Sequence, residues 1–346
     1  MLVKDAKAIA REWITQEAAK LPGFYGAYFA GSTNWLPDDA PLPVGSDVDV
    51  MVVLDDPNPP IKIGKFVYRG VLLEVSYLPG DRLQSPEQVL GDYHLAGGLR
   101  TPSVVLDPTG RLTELQAAVA KDFAKRQWVV RRCEQARDKV LTNLRRLDGS
   151  AAFHDQVTSW LFPTGVTTHV LLTAGLKNPT VRLRYLAARE LLAAYDRLEV
   201  YPALLALLGC AEMGRARVEQ HLAALTEVFD VAKTLVKTPF FFASDLSDEA
   251  RPIAIDGSRA LIERGDPREA VFWIVATYAR CLTALAHDAP GEVQDRFVSG
   301  FRELLGDLGI ESVADLQRRS EQVIGFLPRL WEVTEAILAA NPEIEE

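Results

Sequence analysis

The stretch Asp47-Val48-Asp49-Val50-Met51-Val52-Val53-Leu54 places two carboxylates inside an apolar run. Its β-branched and apolar residues read as a buried strand, ended by Pro57, Asn58, Pro59 and Pro60. Side chains alternate along a strand with a period of two, so Asp47 and Asp49 share a face. Two like charges ~4 Å apart repel by roughly 4 kcal/mol at an effective dielectric near 20. A sequence tolerates such a pair where a divalent cation shares the oxygens. Upstream, Tyr28-Phe29-Ala30 reads as the end of a strand entering Gly31-Ser32. That turn lets a phosphate chain approach bare backbone and offers it a hydroxyl. Downstream, residues 71–78 form another apolar run interrupted by one acid, Glu74. Three acids and a Gly-Ser turn on neighbouring strands describe a site for a metal-bound nucleoside triphosphate.

The elements that must position these residues follow from local pattern. Residues 3–20 have helical spacing, ended by Leu21-Pro22-Gly23, and residues 26–30 form the strand before the turn. Residues 65–68 and 71–77 flank Arg69-Gly70 as a hairpin. Ser85-Pro86-Glu87-Gln88 supplies an N-cap, a proline at the first helical position and a capping-box glutamine. The helix it opens is expected to run toward Leu95 and stop at Gly97-Gly98. Residues 103–106 form a further short strand, closed by Asp107-Pro108-Thr109-Gly110. From Arg111 onward the strand signal disappears and helical blocks follow one another, among them residues 151–161, 166–176, 180–198, 215–237, 267–287 and 312–340. The expected fold class is α+β. Residues 1–118 form a small mixed sheet with helices that carries the chemistry, residues 119–346 are all-helical, and the active site is expected in the cleft between them.

Composition narrows the function. Apolar content of 48% with 25% charged residues is that of an ordinary globular protein, and 346 residues suggest two domains. A formal charge of −9 argues against a large nucleic-acid footprint, which requires a basic surface. Cys133, Cys210 and Cys281 are far apart and odd in number, as expected of buried thiols in a reducing compartment. No signal-peptide core and no apolar run near the ~20 residues that cross a bilayer is evident, so no membrane partner and a cytoplasmic location are expected.

Gly31, Ser32, Asp47, Asp49 and Glu74 match the signature of the DNA polymerase β-like nucleotidyltransferase superfamily, which the chain resembles. That signature is an apolar residue, Gly-Ser or Gly-Gly, a spacer, Asp-x-Asp in a strand, and a third carboxylate in a later strand. The order of a short catalytic domain and a helical domain looks most like the small-molecule branch, including the aminoglycoside adenylyltransferases. The spacer, residues 33–46, is longer than that family's and carries Pro37, Pro41, Pro43 and Gly45, so the helix after the Gly-Ser turn must be short or replaced by a loop. The resemblance implies transfer of AMP from ATP, or of another nucleoside monophosphate, to a hydroxyl of a small molecule. Asp47, Asp49 and Glu74 would hold two Mg²⁺ ions, with Mn²⁺ as a substitute, and Gly31 and Ser32 would hold the β- or γ-phosphate. A general base is sought at Glu87 or Asp92, and a triphosphate ligand from the helical region at Lys177 or Arg184. Two other readings stand beside this one: transfer to a macromolecule, and a catalytically silent nucleotide-binding module acting as an antitoxin or regulator.

Bland readings accompany the remaining candidates. Glu87 also suits the first turn of a helix, and the basic stretch with Arg182, Arg184 and Arg189 also suits a solvated face pairing with Glu190. Arg215 to His221 and Arg280 to His287 have spacings compatible with the ribonuclease motif of HEPN domains, which so many arginines produce by chance. Trp128, Trp160, Trp273 and Trp331 are expected in the core. Of Phe240-Phe241-Phe242, one is expected to line the cleft.

Overall fold

The computed structural model describes residues 1–43 and 45–346. Helix α1 (Val3–Gln16) precedes strand β1 (Phe24–Ala30), and β2 (Val48–Leu54), β3 (Gly64–Tyr68) and β4 (Val71–Pro79) follow. Two short helices, α2 (Pro86–Leu90) and α3 (Ala96–Leu99), lead to β5 (Val104–Leu106). The strands form one mixed sheet in the order β3-β4-β2-β1-β5, with β2 and β4 parallel and the other neighbours antiparallel.

Each face of the sheet has its own cover. Ala6, Ala10, Trp13 and Ile14 recur at helical spacing on α1 and pack against Ala27, Phe29, Val48, Val50, Val52, Leu73 and Val75. The opposite face contributes Tyr28, Val53 and Leu78, covered by Leu83, Val89, Leu90, Leu99 and residues of α4 (Arg111–Asp122). Period two therefore assigns even positions of β2 to the α1 side and odd ones, Asp49 included, to the other.

The rest of the chain is helical: α5 (Arg126–Leu144), α6 (Phe153–Ala174), α7 (Arg184–Ala194), α8 (Tyr201–Leu208), α9 (Arg215–Leu235), α10 (Gly257–Glu263), α11 (Pro267–Asp288), α12 (Gly291–Asp307) and α13 (Val313–Ala340). α11 packs on α6, α9, α10 and α12, and α13 packs on α6. Two compact units result. One comprises Met1–Arg132, Pro239–Asp245 and Glu343–Glu346; the other comprises Cys133–Thr238 and Leu246–Pro342.

Several expectations need correction. Asp47 lies just before β2 rather than inside it. The helix begun by Ser85 ends at Leu90, because Asp92 turns the chain by accepting hydrogen bonds from the His94 and Leu95 amides. Pro163 sits inside one continuous helix, α6, where a break was expected; neighbours packed along most of that helix override the lost hydrogen bond. Of the four tryptophans expected in the core, Trp160 is fully buried, while Trp128, Trp273 and Trp331 are half-buried. Against the expectation of no membrane-length run, α11 is apolar enough by composition to cross a bilayer, yet 83% of its apolar window is buried inside the protein. The three cysteines are free and buried, as expected. In the long spacer only the short turn Ser32–Asn34 is helical among the described residues; Val44 lies outside them.

Candidate metal and nucleotide site

Strand register assembles the site. Ala30 of β1 stands opposite Asp49, Asp49 opposite Glu74 of β4, and Glu74 opposite Lys65 of β3. One row across four strands thus carries two acids and a lysine on the face away from α1, and Asp47 joins that face two residues earlier. Carboxylate oxygens of Asp47, Asp49 and Glu74 lie within 4.8 Å of one another.

The Gly-Ser turn abuts this row. Gly31 has φ +60, and a Cβ there would fall 1.7 Å from Asp49 Oδ2. Only glycine leaves room for that carboxylate and takes that backbone shape. Ser32 follows at the start of the short helical turn, half-buried.

Two lysines and a fourth acid complete the cluster. Lys65 Nζ lies 2.8 Å from Asp47 Oδ2, bonds Glu74 Oε2, and stands 3.6 Å from Asp245 Oδ1. Lys62 Nζ bonds Glu74 Oε1. Asp245 arrives on the segment Pro239–Asp245, whose Ser244 packs against Gly64 and whose Phe241 ring lies 4.7 Å from Lys62 Nζ. Phe241 itself is exposed. The Asp49 carboxylate accepts no hydrogen bond and joins no ion pair among the described residues.

The electrostatics follow from that layout. Burial lifts Asp49 well above the usual carboxylate range, and Asp47 and Glu74 beside it add to the rise. Burial also raises Asp47, with Lys65 pulling the other way and Glu74 adding to the lift. Burial pushes Glu74 up too, but Lys65 and Lys62 outweigh it and hold that carboxyl at about 2. Four carboxylates face two ammonium groups, leaving two negative charges when all are ionised. Clustered oxygen donors with surplus negative charge fit a hard divalent cation, Mg²⁺ or Mn²⁺.

Of the other sequence candidates, Glu87 and Asp92 have local roles at α2 and the turn after it, and Lys177 and Arg184 belong to the helical unit. Glu87 is exposed, and hydrogen bonds from its own backbone and from Ser85 lower its carboxyl at the start of α2. Asp92 is buried, bonded to Arg82 Nη2 at 3.0 Å, and serves the turn described above. Lys177 is exposed just after α6. Arg184 is 1% exposed, its guanidinium 4.0 Å from the Phe272 ring centre, so it is no solvated face and offers a ligand no surface. Arg189 pairs with Glu269 and Asp266, not Glu190. The HEPN-like spacings assemble nothing: Arg215 pairs with Glu219 and His221 with Asp307, while Arg280 is buried over Trp273 and His287 is exposed.

Lys62, Lys65 and Asp245 were not anticipated. Lys65 was within reach of the sequence: counting outward from the two-residue turn Arg69-Gly70 pairs Tyr68 with Val71 and Lys65 with Glu74. No local pattern announces Asp245. A cavity of about 670 Å³ lined by Tyr25, Asp55, Gly80, Asp81 and Arg111 lies at the other end of β2 and contains none of the acidic row. No family model matches the chain, and no curated protein matches it.

Proposed function

We propose that the chain is a divalent-cation-dependent nucleotidyltransferase that moves AMP from ATP, or another nucleoside monophosphate, to a hydroxyl of a small molecule. One observation carries this reading: Asp47, Asp49 and Glu74 converge on one face, with Asp49 pressed against a glycine turn that no other residue could form. Mg²⁺ bound there would neutralise the triphosphate and lower the pKa of the acceptor oxygen. Asp47 and Asp49 would present oxygens to the ion, with Glu74 beside Asp49 in the row. The bare backbone at Gly31 admits the phosphate chain, and the Ser32 hydroxyl stands beside it. In the transfer, a bond forms from the acceptor oxygen to the α-phosphorus as the bond to pyrophosphate breaks and the acceptor proton is released. An aminoglycoside-like acceptor fits the net charge of −9, which attracts polycations.

Pyrophosphate release from each NTP, in the presence of a panel of hydroxyl-bearing acceptors including aminoglycosides, tests the reading. Acceptor-dependent release is expected, and Asp49→Asn should slow it by at least ~10³-fold, the loss of several kcal/mol of charge stabilisation. The occupation of both Glu74 oxygens by lysines favours a second reading, a silent nucleotide-binding module. That module would bind NTP yet release no pyrophosphate with any acceptor.

A further inference from the structure

We infer that this site takes a single divalent ion, with the Lys65 ammonium standing in the electrostatic place of a second. The inference rests on the nucleotidyl-transfer reading and revises its expectation of two ions. Three carboxylates, those of Asp47, Glu74 and Asp245, converge on Lys65 Nζ. Such a convergence is what a second cation of a two-ion site would require, its partner being ~3.5–4 Å away on shared oxygens.

Lys65 is built into that position. Its side chain is 7% exposed, and the β3–β4 register sets it directly opposite Glu74. Lys62 holds the other oxygen of Glu74, so both Glu74 oxygens carry an ammonium. Neither lysine forms an ion pair with Asp49 among the described residues, and the pair of Lys65 with Asp47 is made through Oδ2. The oxygens left for an ion therefore belong to Asp47 and Asp49, beside Gly31, while Glu74 anchors the lysines. The charge count agrees: four carboxylates less two ammonium groups leave two negative charges, which one divalent ion neutralises. In the nucleotide-free site a second ion would bring excess positive charge against a lysine already in place.

The test is Mn²⁺ titration of the full chain followed by electron paramagnetic resonance, with and without α,β-methylene-ATP. The wild type should bind one protein-held Mn²⁺ per chain, without the spin coupling of a close pair. Asp49→Asn should bind none in the absence of nucleotide. Lys65→Met, checked for folding by circular dichroism, should gain a second ion and show coupling, and Lys65→Arg should keep one. A coupled pair in the wild type, or a folded Lys65→Met that stays at one ion, overturns the inference alone. A wild type that holds no Mn²⁺ under either condition overturns the nucleotidyl-transfer reading and this inference together.

Discussion

Two charged networks in this protein resolve the same problem in opposite ways. In the helical unit, Glu269 is 3% exposed and accepts hydrogen bonds from Arg189 Nη1 and the Tyr201 hydroxyl, both at 2.7 Å. Asp266 beside it accepts from Arg189 Nη2 and Arg264 Nε, also at 2.7 Å. Two carboxylates meet two guanidinium groups, and the charge closes. Against the upward push of burial, those arginines hold Asp266 below its ordinary range. At the sheet, four carboxylates meet two lysines, and Asp49 is left with neighbouring acids and no partner among the described residues. A network that only stabilises a fold closes its charge, because an unpaired buried ion costs more than the pair contributes. A network left open by two charges is what the proposed divalent cation would complete.

Mutation should separate the two. In the closed network, Glu269→Ala takes the shared acceptor from Arg189 Nη1 and from the buried Tyr201 hydroxyl while Asp266 still holds Arg189, so the loss of stability should be about 2–3 kcal/mol by urea unfolding. A loss below ~0.5 kcal/mol would remove the contrast. At the open site, Gly31→Ala forces a Cβ onto Asp49 at a positive φ and should cost about 2 kcal/mol. Here the sharper readout is Mg²⁺-dependent nucleotide binding, which should vanish from the folded variant.

The smallest effect carries the most diagnostic sign. Burial raises Asp49 above 3.8, so the native state holds that proton more tightly than the unfolded chain. Stability then falls as pH rises through the window from 3.8 to the raised value, and the cost is fully present above it. Metal-free Asp49→Asn should therefore unfold at a higher temperature than the wild type near pH 8, and the gap should close toward about pH 4. Asp47, Glu74, Lys62, Lys65 and Asp245 surround the site and are unchanged in that comparison. Glu74, held at about 2, has the opposite sign: its contribution is present above 4.5 and is lost as pH falls toward 2. A destabilised Asp49→Asn at pH 8 would mean that Asp49 is a structural acid like Asp266.

Much of the sheet was legible because its signals are local. Alternation fixed β2 and β4, the Arg69-Gly70 turn fixed the hairpin partner of β4, and both residues of that turn adopt positive φ. Asp47, Asp49 and Glu74 were identified by type and context alone, and the structure brings them together. Lys65 was overlooked because a lysine in an edge strand reads as ordinary solvent-facing chemistry, although register alone pairs it with Glu74. Asp245 lies about two hundred residues away in the chain, and only tertiary packing brings it to Lys65. Helix boundaries failed where a side chain competed with the backbone, as at Asp92, or where packing overruled a breaker, as at Pro163.

The most direct test of the account is thermal unfolding of the wild type and Asp49→Asn with each NTP, with and without Mg²⁺. At ~100 times its dissociation constant a ligand adds about 2.7 kcal/mol, a shift of several degrees. ATP or another NTP should stabilise the wild type only when Mg²⁺ is present, and Asp49→Asn should lose the shift. A wild type that no NTP stabilises, or a variant that keeps the full shift, would contradict the account.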